Sequence, residues 1–365
     1  MGFKFDIIMS IENIKLNGVV FNRKNLDQLK FANEPEDSWK NVTYYFLLAW
    51  FDDSDFILSQ TSGSTGNPKS IRLSKESMRN SARMTNQFFG LSSKSVCLLC
   101  LPASYIAGKM MLVRALVSGF NLLTVEPSAN PFEKLLIPID FTAITPYQLF
   151  YSAKSLQKKS IRKIIVGGGM VTNKLEKISE AISAELYETY GMTETCSHIA
   201  LRRFNGIDKS DYFRVLEGVT IRTDERECLA IKAPHLLKEE IKTNDIVELK
   251  GTTSFRWLGR VDSTINSGGI KIHPEQLEKK LEDIIPSSYF ISSIPDDLLE
   301  NKVVLVIESE AYTPKQEEEL KVQLETLLSK YEIPKQIFYL PSFIHSEGNK
   351  VLRKPTLKKA LKEFF

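Results

Sequence analysis

Gln60-Thr61-Ser62-Gly63-Ser64-Thr65-Gly66-Asn67-Pro68-Lys69-Ser70 follows directly on the apolar run Phe56-Ile57-Leu58, and its composition is that of a phosphate cradle. Gly63 and Gly66 let backbone N–H groups turn toward an anion, Ser62, Ser64 and Thr65 add hydroxyl donors, and Lys69 brings a point charge suited to a triphosphate. A Walker loop is the obvious rival. It needs adjacent Gly and Lys with a helix starting straight after them, and here Pro68 intervenes. Proline biases Asn67 toward an extended backbone, so the spacing predicts a strand over residues 70–73 and a helix only after Ser74. Taken alone the stretch also reads as a surface turn rich in Ser and Gly, and the rest of the chain decides between the two.

Outward from this loop, short apolar runs ending in Gly, Pro, Ser or Asn alternate with helix-length amphipathic stretches. Residues 56–58, 96–101, 121–125, 141–144 and 164–166 read as buried strands, with helices over 75–89, 108–118, 146–155 and 174–184 between them. The expected class is α/β with a doubly wound sheet. Beyond about residue 186 the segments shorten and alternate (219–222, 228–232, 246–249), which predicts a small antiparallel, β-rich part. Past Gly259-Arg260-Val261-Asp262 comes a compact block: helix 274–284, strand 302–307, helix 314–328, strand 336–340 and a terminal helix from Pro355. We place the boundary there, giving a large domain over 1–260 and a small α+β domain over 261–365.

At 365 residues, 42% hydrophobic and 25% charged, the chain has the composition of a globular protein large enough for two domains. A net charge of +3 gives no case for a nucleic-acid or membrane partner, and nowhere do the 18 consecutive apolar residues of a membrane span occur. The basic C-terminus (Lys350, Arg353, Lys354, Lys358, Lys359, Lys362) reads as a solvated helix face. Four cysteines form no disulfide framework in a chain of this size and point to a reducing, cytoplasmic setting. Cys97 and Cys100 have the spacing of half a zinc site, yet they lie in an apolar strand without a second ligand pair and read as buried thiols.

Tyr190-Gly191-Met192-Thr193-Glu194 offers an aromatic plate, a glycine turn, a hydroxyl and a carboxylate within five residues. Tyr190 can stack on a base, Thr193 can donate to a phosphate oxygen and Glu194 can hold Mg²⁺, which prefers oxygen ligands and bridges to phosphate. A tyrosine corner leading into a helix N-terminus explains the same pentapeptide.

Five motifs together carry a family resemblance: the phosphate loop, Tyr190-Gly-Met-Thr-Glu194, Thr243-Asn-Asp245, Gly259-Arg-Val-Asp262 with Ser267-Gly-Gly-Ile-Lys271, and Gly348-Asn-Lys350-Val-Leu-Arg353. Their order resembles that of the acyl-adenylating (AMP-binding) superfamily of acyl-CoA synthetases, firefly luciferase and peptide-synthetase adenylation domains. Within it the chain is most similar to the 2-succinylbenzoate:CoA ligases of menaquinone biosynthesis, on Leu101-Pro-Ala-Ser-Tyr-Ile-Ala-Gly108 and Ile144-Thr-Pro-Tyr-Gln-Leu149. The resemblance implies a ligase that uses ATP, Mg²⁺ and CoA, joining a small carboxylic acid first to AMP and then to the CoA thiol. Analogy leaves room for a homodimer.

The resemblance also implies residue roles. The loop from Thr61 to Lys69, Thr193, Mg²⁺-bearing Glu194 and Lys350 would stabilise charge on phosphorus oxygens, and Tyr190 and Gly191 would border the nucleotide. Asp245 would accept from the ribose hydroxyls, with Arg260 a second nucleotide contact, and Gly167, Gly168 and Gly169 would let backbone approach the adenine or acyl group. Asp262 would be the hinge about which the small, mobile domain withdraws Lys350 and presents Gly268 and Gly269 to pantetheine. His198, Tyr105, Lys109 and Arg202 are the acid-binding candidates, and for His198 a satisfied interior histidine is the plain alternative. Three usual glycines are replaced, by Ser70, Asn244 and Asn349, and asparagine tolerates left-handed backbone. The remaining alternatives are an acid other than 2-succinylbenzoate, a carrier-protein loading enzyme, and a non-catalytic nucleotide-binding homologue.

Overall fold

The structure of the protein, a computed structural model, describes residues 13–60, 70–345 and 351–364. Its framework is a 13-stranded sheet. In spatial order the strands are Thr220–Thr223, Cys228–Lys232, Ile241–Lys250, Ser254–Arg260, Phe213–Val215, His198–Arg203, Glu185–Gly191, Ile161–Val166, Ile139–Ile144, Val96–Leu99, Asn121–Thr124, Ile14–Leu16 and Val19–Phe21. From Glu185–Gly191 to Ile14–Leu16 neighbours are parallel, and from His198–Arg203 outward they are antiparallel. The expected α/β class holds, and the β-rich part is an extension of the parallel sheet.

Successive strand residues face opposite sides, so one strand feeds two cores. Cys97, Leu99 and Ile165 pack with helices Trp39–Phe51, Lys75–Phe89 and Ile106–Ser118; Leu98, Cys100, Ile164 and Val166 pack with Pro146–Leu156 and Asn173–Ser179. Burial pushes the Cys100 thiol up to about 12 and raises Cys97 as well, as inert interior thiols require. The helix after Ser74 is where Pro68 leads one to look for it. Ser74 Oγ accepts the N–H groups of Glu76 and Ser77, and Gly90, at φ 67°, ends the helix.

Three expectations need correction. Phe56–Gln60 does not join the parallel sheet; it pairs antiparallel with Ser70–Ser74 as a separate ribbon, Gln60 opposite Ser70, because a short return lets the two strands pair locally. The helix expected over 174–184 stops at Ser179. Asn205, 3% exposed, explains the stop: its Nδ2 donates to the carbonyls of Ile182 and Ala184, at 3.2 and 2.9 Å, and its Oδ1 accepts Leu186 N–H at 2.9 Å. It thereby sets the entry into Glu185–Gly191. Finally, the carboxy-terminal sheet contains a strand, Tyr289–Asp296, that the sequence reading lacks, since Ser292 and Ser293 interrupt its apolar run.

That second sheet has five strands, with Glu300–Glu308 flanked by Tyr289–Asp296 and by Gln336–Leu340, and the hairpin Ile265–Ser267/Ile270–Ile272 attached. Helices Pro274–Leu281 and Pro314–Leu327 share one core with it, and Arg353–Phe364 lies in another. The terminal helix begins ahead of Pro355, which is tolerated in a first turn where the N–H has no intrahelical partner.

Asn205→Ala leaves several backbone groups buried without partners and should cost about 2–4 kcal/mol in urea unfolding at an unchanged m-value. A loss under about 0.5 kcal/mol would contradict this role.

Candidate functional site

The sheet changes from parallel to antiparallel at Glu185–Gly191, and the cleft sits at that strand's carboxyl end. Open α/β sheets offer a crevice at such ends. The cleft, about 510 Å³, is bordered by Gly168, Gly169, Met170 and Val171 from the turn after Ile161–Val166, and by Glu188, Thr189, Tyr190 and Gly191. Arg202, Phe213, Arg256 and Trp257 supply a second wall, and Glu275, Gln276 and Lys279 of helix Pro274–Leu281 a third.

Two glycines are required by geometry. Gly168 has φ +84°, a left-handed conformation, and a Cβ on Gly191 would lie 2.4 Å from Ser197 O. The chain therefore turns back sharply after Tyr190. Thr195 Oγ1 accepts Met192 N–H at 3.1 Å and donates to Ser197 O at 2.7 Å, and Cys196 takes φ 63° to complete the turn. Thr193 is half-buried and Glu194 exposed on this turn.

Tyr190 has a second task beyond the stacking role expected of it. Its hydroxyl donates to Asp245 Oδ2 at 2.6 Å, Trp257 Nε1–H donates to Asp245 Oδ1 at 3.1 Å, and Arg260 Nη1 stands 3.9 Å from the same oxygen. Burial, then the Asp245 carboxylate, push the Tyr190 phenol far above its usual value, so it remains a donor. A carboxylate has about four lone-pair sites, and these two bonds orient Asp245 while leaving acceptor capacity for ribose hydroxyls. Arg260 is also paired with Asp262, at 3.0 Å, which holds the Asp262 carboxyl below its usual value. Asn244 lies inside the strand Ile241–Lys250 and is not left-handed; its Oδ1 accepts from Arg226, so left-handed tolerance is not why it stands there.

The structure thus brings Gly168, Gly169, Tyr190 and Gly191 to one cleft and sets Asp245, Arg260 and Asp262 in a chain beside it. Thr61, Ser62, Gly63, Ser64, Thr65, Gly66, Lys69 and Lys350 lie outside the described residues. Gly268 and Gly269, at φ 58° and 79°, form the two-residue tip of the hairpin, against Leu299, and do not border the cleft. Tyr105 is 66% exposed at the start of helix Ile106–Ser118, and Lys109 Nζ donates to Leu58 O at 3.1 Å, in the middle of strand Phe56–Gln60. Neither reaches the cleft.

His198 is 4% exposed, with Thr85 Oγ1 at 3.3 Å from Nε2 and Ser197 Oγ at 3.3 Å from Nδ1. Burial, then the charge of Arg114, hold it well below its usual value, so it is neutral. Arg202 is neutralised internally: its guanidinium meets Glu188 at 2.7 Å and Glu176 at 2.9 Å.

Sequence reasoning missed Arg114. It is 1% exposed, donates to Ser197 Oγ at 2.9 Å and to Met111 Sδ, leaves Nε without a partner, and forms no ion pair with a carboxylate among the described residues. Burial pulls it down to about 9, still a cation at neutral pH. The signal was present as one charge inside the otherwise apolar run Met110-Met-Leu-Val-Arg-Ala-Leu-Val117, the inner part of helix Ile106–Ser118.

A profile of the AMP-binding enzyme family matches residues 20–222, more than half of the chain. The chain belongs to the AMP-binding enzyme family. It is 24% identical to the 2-succinylbenzoate–CoA ligase of Lactococcus lactis subsp. lactis (strain IL1403), over 96% of this chain and 82% of that enzyme. With the 2-succinylbenzoate–CoA ligase of Staphylococcus epidermidis (strain ATCC 12228) identity is 25%, over 83% of this chain and 69% of that enzyme. Among solved structures, an acyl-CoA synthetase (AMP-forming)/AMP-acid ligase II-like protein from Dyadobacter fermentans matches with TM-score 0.60 and 32% identity, covering 93% of this chain and 99% of that one. O-succinylbenzoate coenzyme A synthetase from Bacillus subtilis, in complex with ATP and magnesium ion, shares the fold at TM-score 0.68 and 22% identity, over 82% and 69% of the two chains.

The protein is accordingly an enzyme, an AMP-forming acid–thiol ligase. The residues present fit a nucleotide: a cleft floored by side-chain-free backbone at Gly168 and an aligned carboxylate with spare acceptor sites at Asp245. A Mg²⁺ ion held mostly by phosphate oxygens needs few protein ligands, and Glu194 offers one exposed carboxylate on the turn after Tyr190, outside the residues that border the cleft. No helix among the described residues is long and apolar enough to cross a membrane.

Neutral, buried His198 ties stability to pH. Its folded pKa lies below the unfolded value near 6.5, so below about pH 6.5 only the unfolded chain takes up this proton and stability falls as pH drops. Between about pH 7.5 and about pH 5.5 the wild type should lose about 1 kcal/mol more in urea unfolding than His198→Gln. Identical losses would contradict a neutral interior histidine.

Proposed function

We propose that the enzyme is a 2-succinylbenzoate–CoA ligase. Arg114 carries the choice of acid. A buried cation without a counter-ion costs several kcal/mol, which an anionic group on the substrate offsets when it binds. 2-Succinylbenzoate has two carboxylates, one to react and one to meet such a cation. Arg114 touches Ser197, in the turn that follows Tyr190-Gly-Met-Thr-Glu194, and neutral His198 beside it adds no competing charge. The names of the curated relatives point to the same acid.

In the first half-reaction an oxygen of the succinyl carboxylate bonds to the α-phosphorus of ATP, the bond to the bridging oxygen breaks, and pyrophosphate leaves. In the second, the CoA sulfur bonds to the acyl carbon, the bond to the AMP oxygen breaks, and the thiol proton is released. Mg²⁺ supplies charge neutralisation on the phosphates when bound. Glu194 would hold it, Thr193 and the loop from Thr61 to Lys69 would supply donors, Lys350 would neutralise charge at the transferring carboxylate, and Asp245 and Arg260 would hold the ribose side. Residues 1–260 and 261–365 would act as two bodies hinged at Asp262. Support for that comes from helix Pro274–Leu281, which closes one side of the cleft while following Asp262 by only a short stretch.

With ATP, Mg²⁺ and CoA, 2-succinylbenzoate should form thioester faster, by orders of magnitude in kcat/KM, than benzoate or fatty acids, as read by pyrophosphate release and thioester mass. Comparable rates for the simple acids would sink this assignment. Arg114→Met places an apolar chain in an apolar helix, so the fold should survive while KM for the diacid rises about a hundredfold and KM for ATP stays put. Lys350→Ala should abolish ATP–pyrophosphate exchange but largely spare thioester formation from supplied acyl-adenylate; equal loss of both steps would refute its confinement to the first.

A further inference from the structure

The turn over residues 166–171 floors the cleft, and three bonds pin it. Gly167 N–H donates to Ile144 O at 3.0 Å, Thr189 Oγ1 donates to Val166 O at 3.3 Å, and Val171 N–H donates to Glu188 Oε1 at 2.8 Å. The turn sits so close to the neighbouring strand that a Cβ on Gly167 would lie 2.3 Å from Thr189 Oγ1. Between its two ends stands Gly168, at φ +84°.

Glu188 uses both of its oxygens. While Oε1 takes Val171 N–H, Oε2 accepts from Arg202 Nε at 2.9 Å and Nη2 at 2.7 Å. Arg202 is held in turn by Glu176, on helix Asn173–Ser179, directly after the turn. Glu188, Arg202 and Glu176 have side chains 7, 5 and 9% exposed, so these bonds are shielded from water, where geometry is held most firmly.

We propose that Glu188, clamped by Arg202, is a positioning residue that fixes the 166–171 turn for the nucleotide. This deepens the ligase reading and rests on it, since it takes the cleft to be the ATP site. Arg202 therefore serves the site through Glu188 rather than by touching the acid. The recognised chemistry is a purine nucleotide, whose fit depends on the backbone of Gly168 and Gly169 standing within a fraction of an ångström of its place.

Glu188→Gln is the diagnostic variant. It keeps the volume and leaves Arg202 paired with Glu176, but an amide has one acceptor oxygen where two are in use, so the bond from residue 188 to Val171 N–H and the bonds to the guanidinium cannot both survive. Measured by calorimetry, ATP should bind the variant about tenfold more weakly; in turnover, KM for ATP should rise by a similar factor with KM for the acid unchanged. Arg202→Met, which leaves the Val171 bond intact, should lower stability more and ATP affinity less. Equal ATP affinity in wild type and Glu188→Gln, or parallel shifts in both KM values, would overturn the assignment. Protein that binds ATP but activates no acid would refute the ligase reading alone, and the ATP affinities would still decide the role of Glu188.

Discussion

One strand, Glu185–Gly191, must satisfy two neighbours of opposite sense within one sheet: parallel to Ile161–Val166 on one edge and antiparallel to His198–Arg203 on the other. To reverse direction within a few residues, the chain after Tyr190 needs a glycine at 191, a left-handed Cys196 and a threonine hydroxyl that closes the turn. Sharp reversals of this kind leave backbone and side chains projecting at a sheet end, where a ligand can reach them. The end of the cleft at Gly191 and the placement of Glu194 follow from that reversal.

Two arginines show how the same residue type is used in opposite ways. Arg202 is buried and matched by two carboxylates, so its charge is spent on rigidity at the cleft wall. Arg114 is buried as deeply, and its partners among the described residues are a serine hydroxyl and a thioether, with neutral His198 nearby. An uncompensated interior charge weakens the empty protein by more than a typical single contact strengthens it, so its place is understandable as a site awaiting an anion. Under the proposed function, stability given up in the free enzyme would return as selectivity when an acid with a second carboxylate binds.

Much of this was legible in the order of residues. Pro68 separates the loop from any Walker geometry, and Ser74 marks the helix that follows, because proline and cap chemistry act over two or three residues. The alternation of strand and helix lengths likewise conveyed the α/β class. What could not be read depends on contacts far apart in sequence. Asn205 ends a helix more than twenty residues upstream, and Phe56–Gln60 prefers a local partner over the sheet its apolar run suggested. Asp245 could be matched to a motif, yet its two donors, Tyr190 and Trp257, meet it only in the fold. Arg114 stood in plain view as a charge in an apolar run, and only the absence of a carboxylate partner among the described residues gives it meaning.

The most direct test of the account is a crystal structure with a non-hydrolysable acyl-adenylate mimic built on 2-succinylbenzoate. The account places the ribose hydroxyls on Asp245, the adenine over the Gly168–Gly169 backbone and the distal carboxylate against Arg114. An adenosine bound away from the end of Glu185–Gly191, or a distal carboxylate exposed to solvent with Arg114 still unpaired, would contradict it.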